Sequence, residues 1–146
     1  MNKRLIGTWA ASAVVAPALL LAGSGTASAN GNVSWKNKGN GLCLMYGNGM
    51  VLTGSACGKA GGSWYETKQS DGTFTLKTLG YCLDSNKAGK VYAIKCNGGN
   101  NQKWSEIKTA GGWRLVNKAT NLTLGSNGQH MVYTGIDAGG KYQRWS

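Results

Sequence analysis

The stretch "NNQKWSEI", residues 100–107, returns at the carboxyl end as "KYQRWS", residues 141–146, so that Gln102-Lys103-Trp104 lies over Gln143-Arg144-Trp145 at a shift of 41 positions. The match extends outward from there. The segment from Gly80 to Ile107 overlies the one from Asn121 to Ser146 without a gap, with Cys82 on Thr123, Leu83 on Leu124 and Val91-Tyr92 on Val132-Tyr133. An earlier copy, Gly41 to Thr67, keeps a Cys-Leu start at Cys43-Leu44 and a Trp in the corresponding place, Trp64, but has Gly62 where the Gln stands. Even the lead-ins match: "WKNKGNGLCL" (residues 35–44) overlies "LVNKATNLTL" (residues 115–124), sharing an Asn-Lys pair. Repetition at about forty residues marks a fold assembled from copies of one supersecondary unit.

The amino terminus stands outside this pattern. "MNKRLIGTWAASAVVAPALLLAGSGTASA" has a basic start, an apolar run and the small-residue site Ala27-Ser28-Ala29, the layout of a secretory signal cut after Ala29. Thr8, Ser12 and Pro17 interrupt the apolar run, so a membrane span is not expected. Residues 30–146 then form the mature, extracellular chain, 117 residues long and sized for a single domain. Loss of Lys3 and Arg4 takes the formal charge from +11 to +9. Such a chain suits anionic surfaces, but its Lys and Arg are scattered singly, with no basic tail for nucleic acid. Outside the cytosol Cys43, Cys57, Cys82 and Cys96 are expected to oxidise to two disulfides; each neighbouring pair is 14 positions apart, and four cysteines allow three pairings.

Within each copy the pattern is of short strands. Phe74, Leu76 and Leu79 alternate with polar residues in "TFTLKTL" (residues 73–79), and "KVYAIK" (residues 90–95) is rich in β-formers. Asp71-Gly72, Gly111-Gly112 and Asn127-Gly128 suit tight turns, and the mature chain has no Pro. Three such units are too few for a propeller or a capped solenoid, which leaves a closed threefold arrangement.

Taken together, the Cys-Leu-Asp start, the paired cysteines and the Gln-x-Trp ends resemble the ricin-type β-trefoil lectin family, and a small secreted, bacterial-type member of it, from about Val33 to Ser146. The resemblance implies an all-β trefoil with local bridges Cys43–Cys57 and Cys82–Cys96, each stabilising by about 3 kcal/mol. Thr123 and Asp137 stand where a third bridge would be. Trp64, Trp104, Trp145 and Gln143 are read as structural, a buried ring and an amide that satisfies nearby backbone.

The family's sugar site combines the Asp of Cys-Leu-Asp, an aromatic two residues before the second Cys, and an Asn beside the Gln of Gln-x-Trp. Carried over, the second unit supplies Asp84, Asn101 and Gln102 but has Ile94 in the aromatic's place; Tyr92, two residues earlier, faces the same side of a strand as a displaced platform. The first unit has Met45 and Ser55 at the acid and platform positions, and the third has Gly125 and Gly135, so both read as sugar-silent.

Catalytic material is sparse: one histidine, His130, and five acids, Glu66, Asp71, Asp84, Glu106 and Asp137, placed singly along the chain. The reading is therefore a noncatalytic protein without metal or cofactor, binding a glycan or polysaccharide, an anionic one suiting its charge. The alternative is a sugar-silent trefoil serving a secreted protein partner as adaptor, inhibitor or subunit.

Overall fold

Alternating burial along the short apolar runs sets the architecture, because each strand offers one face to a common interior. The computed structural model describes residues 30–146, so the signal reading of residues 1–29 lies outside the described residues. Eleven strands follow in order: β1 (Gly31–Val33), β2 (Cys43–Gly47), β3 (Met50–Gly54), β4 (Trp64–Lys68), β5 (Phe74–Thr78), β6 (Tyr81–Ser85), β7 (Val91–Lys95), β8 (Trp104–Thr109), β9 (Gly112–Asn117), β10 (Thr123–Ser126) and β11 (Val132–Gly135). The expected strand at residues 73–79 is β5, shorter by one residue at each end.

Antiparallel pairing runs β1-β4-β5-β8-β9, and the ring is completed at the carboxyl end, where Trp145 bridges both Trp113 on β9 and Asn37 beyond β1. Three hairpins, β2–β3, β6–β7 and β10–β11, pair internally and meet one another over the end of this barrel through the bridges Leu52–Met131 and Lys90–Tyr133. The result is a β-trefoil with the two expected bridges, Cys43–Cys57 and Cys82–Cys96, whose Cα atoms are 5.3 and 5.0 Å apart.

The core repeats as the sequence does. Trp35, Leu76 and Leu115 form one buried triplet, Leu44, Leu83 and Leu124 a second, and Trp64, Trp104 and Trp145 a third with no exposed surface. Each indole of the third triplet donates Nε1–H to the carbonyl of its own unit's Leu: Trp64 to Leu44 (2.8 Å), Trp104 to Leu83 (3.1 Å) and Trp145 to Leu124 (3.0 Å). The Gln two residues earlier closes the intervening turn: Gln102 Nε2 donates to Lys95 O and its Oε1 accepts from Asn97 N, and Gln143 does the same with Ile136 O and Ala138 N. The shared Asn of the lead-ins joins unit to unit. Asn37 Nδ2 donates to Tyr142 O (2.9 Å) and Asn117 Nδ2 to Asn101 O (2.8 Å), both carbonyls lying one residue before the Gln of another unit.

The first unit closes differently. The Ala56 carbonyl occupies the place where a Cβ of residue 62 would project, so the turn packs straight onto Gly62 and leaves no room for a Gln. The third unit, without a disulfide, is held by charge: Asp137, at the position of Cys96, receives both Nη groups of Arg144 (2.8 and 3.1 Å) and Arg114 Nη1 (3.2 Å). The Arg144 hydrogen bonds foremost hold the Asp137 carboxyl down at about 2, so this support is in force above the ordinary carboxylate range and is lost as pH falls through about 2.

The acids are not all single. Glu66 and Glu106 each lie two residues after the repeat Trp, on β4 and β8, and their carboxyls are near enough to perturb each other's titration. Glu66 Oε2 and Glu106 Oε1 are buried without a hydrogen-bond partner. Burial, then the hydrogen bond and charge of Glu66, pushes the Glu106 carboxyl up to about 9, and burial raises Glu66 as well. Glu106 thus carries a proton at neutral pH.

Two outcomes are expected. Between about 4.5 and about 9 the folded chain keeps a proton on Glu106 that the unfolded chain has released, so stability falls as pH rises through that window. Glu106→Gln, neutral at every pH, should flatten that dependence in urea unfolding at pH 6 and pH 9; an unchanged slope would refute the proton retained on Glu106. Restoring the missing repeat residue with Gly62→Gln should lower stability by about 1–3 kcal/mol through overpacking against Ala56, measured by the same unfolding curves.

Candidate functional site

Hairpin β6–β7 sets Asp84 directly across from Tyr92. Asp84 follows the fully buried Leu83, so the pleat turns its carboxylate to the opposite face of the strand, where Gln102 meets it. Gln102 Nε2 donates to Asp84 Oδ2 at 3.0 Å while its other contacts hold it to the turn, so the amide fixes the direction of the carboxylate. Gln102 has no exposed surface and Asp84 only 3 %. The amide therefore acts as a positioning group behind the acid.

Tyr92 is half-buried, and its phenol titrates above the ordinary tyrosine value, through burial first and then the charge of Asp84 and hydrogen bonding to it. Asn101, in the short 3-10 turn Asn100–Gln102, donates Nδ2 to Ser85 O at 2.7 Å, which brings it beside the residue that follows Asp84. Ile94, opposite Cys82, is exposed and offers an aliphatic surface in the platform's place. The fold thus draws Asp84, Gln102, Tyr92 and Asn101 together at one end of the hairpin, with Ile94 two residues further along β7.

The other two units lack the acid, and their own side chains occupy the space. In the first, Met45 stands at the acid position, opposite Leu52. The residue opposite Cys43 is Gly54 and not Ser55: the two-residue turn Asn48-Gly49, both residues at positive φ, makes this hairpin one residue shorter than the cysteine spacing suggests. The Met45 thioether lies across Gly54, where any side chain would collide with it. In the third unit a Cβ on Gly125 would come within 3.0 Å of the Tyr133 ring and 2.9 Å of Gln143 Cγ, and one on Gly135 within 3.2 Å of the same ring. Tyr133 thus lies across both positions, whereas its counterpart Tyr92 stands across the ladder from a carboxylate.

A model of the ricin-type beta-trefoil lectin domain matches residues 31–145. The chain belongs to this family. No curated protein matches the ricin-type domain described here. Among solved structures it resembles ThreeFoil, a designed threefold-symmetric protein, at 22% identity and a TM-score of 0.71, covering 78% of this chain and 95% of that one. It also resembles SeviL bound to an asialo-GM1 saccharide, at 20% identity and a TM-score of 0.69, covering 80% of this chain and 95% of the other. A GlcNAcα1-4Gal releasing endo-β-galactosidase from Clostridium perfringens matches at 22% identity and a TM-score of 0.70, over 80% of this chain but 31% of the enzyme. At these identities the likeness shows the fold.

Elsewhere in the ricin-type domain the titratable groups serve structure. His130 Nδ1 lies 2.8 Å from Thr53 O and ties one hairpin to another, and Asp71 pairs with Lys118. No group of three or more metal-ligating side chains gathers among the described residues. The Glu66–Glu106 pair was hidden from a reading that took the acids one by one; the signal was Glu at the same step after each repeat Trp.

Gly125→Asp should test whether the third site is filled and not merely unarmed. Folding stability is expected to drop by about 1–3 kcal/mol in thermal or urea unfolding, and a second change, Tyr133→Ala, should recover part of the loss. Full stability in the single variant would show that Tyr133 and Gln143 leave that space open.

Proposed function

We propose that this chain is a secreted, noncatalytic carbohydrate-binding protein with one sugar site, in its second unit. The observation that carries the reading is the Asp84 carboxylate held by Gln102, where the equivalent positions are Met45 and Gly125. A carboxylate with a fixed direction accepts hydrogen bonds from neighbouring sugar hydroxyls, and Asn101 adds an amide beside it. Tyr92 stands across the ladder from Asp84, and its ring with Ile94 covers an apolar sugar face. Family membership supports carbohydrate as the ligand class.

With a single site, no avidity arises from linked sites within one chain. The test is a glycan and polysaccharide screen of the disulfide-bonded mature protein at low and high salt, with Asp84→Asn and Tyr92→Ala alongside. Binding should persist as salt rises and weaken about 10- to 100-fold in Asp84→Asn, the loss expected for hydrogen bonds to a charged group. Binding that fades with salt and ignores sugar stereochemistry would assign the interaction to the +9 surface instead. No binding by folded protein would favour a protein partner, a role that the filled first and third units also suit.

A further inference from the structure

The three hairpins converge around a depression of about 530 Å3, at the end of the barrel they cover. Its floor repeats with the fold: Val51, Val91 and Val132 occupy equivalent ladder positions, opposite Tyr46, Ser85 and Ser126. The preceding residues form a ring of Met50, Lys90 and Met131. Both methionines are strongly exposed, 60% and 65%, although each adjoins a valine that is buried. Exposed, flexible thioethers around an apolar floor form a surface that adapts to a hydrocarbon ligand.

We propose that this depression takes the apolar aglycone of a glycoside whose sugar rests on Asp84. The inference depends on the sugar reading of the second unit and specifies its ligand class: an amphiphilic glycoconjugate with an alkyl or aryl group attached to the sugar. The link is Tyr92, which lines the depression and stands across the β6–β7 ladder from Asp84, so the two features share a wall. The size of the hollow favours this occupant. A volume of this order suits a small-molecule group. Lys90, exposed, is the one charged member of the ring, whose other members on the sides of the first and third units are methionines.

The experiment compares methyl and octyl β-glycosides of galactose, glucose and N-acetylglucosamine, below the concentrations at which octyl glycosides form micelles. Binding to the oxidised mature protein is read by calorimetry. For the sugar that binds, the octyl form should have a Kd at least about tenfold below the methyl form, as expected for burying several methylenes. The double variant Met50→Glu with Met131→Glu changes exposed side chains, and its fold is checked by thermal unfolding. It should remove the octyl preference and leave the methyl Kd unchanged.

Equal Kd values for the two forms, both weakened by Asp84→Asn, would overturn the aglycone site while the sugar reading stands. An octyl preference that survives the methionine changes would also overturn it. Octyl binding that is independent of the headgroup and unaffected by Asp84→Asn would overturn the coupling, and the sugar reading with it.

Discussion

Everything in this trefoil depends on a single hydrogen bond made three times, from a buried indole N–H to the carbonyl of a leucine about twenty residues earlier in the same unit. The ring supplies the largest apolar surface in each unit, and burying it strands a polar N–H unless a partner is provided. The leucine carbonyl meets that need and fixes where β2, β6 and β10 lie relative to the barrel. Once these are set, the hairpins have little choice of position, and Asp84 takes its place because it is the next residue after one of those leucines.

Around that constant the units have diverged by exchanging one means of closure for another. Two use a disulfide, and the third uses Asp137 between two arginines. Two use a glutamine to tie the turn before the tryptophan, and the first brings backbone against Gly62. The same freedom extends to the positions equivalent to Asp84 and Ile94 in the other two units, where a methionine or a tyrosine lies in that space. Packing replaces the acid there, since the glycines at 54, 125 and 135 admit the neighbouring side chain.

The trefoil was legible because its signals are periodic: the Gln-x-Trp echo, the 14-residue cysteine spacing and the paired lead-ins survive any local variation. The convergence of Asp84 and Gln102 was legible for the same reason. Three features were not. The first hairpin is short by one residue, and spacing counted from Cys57 names Ser55 where the ladder has Gly54, because turn length and not cysteine separation sets register. The filling of the silent units depends on rotamers, which a one-dimensional pattern does not carry. The carboxyl pair depends on the barrel's curvature bringing β4 and β8 close, although neither pairs with the other in the sheet.

The closure of the barrel at Trp145 bears on how the chain reaches this structure. Lys36 and Ser146 exchange backbone hydrogen bonds across 110 positions of sequence. That contact has the greatest loop-closure cost in the fold, and it joins the segment that follows the first strand to the final residues. Each disulfide closes a loop of only 14 residues inside one unit, so neither shortens this search. Closure across so much of the sequence is the kind of non-local contact that goes with slow folding in all-β domains, whatever their size.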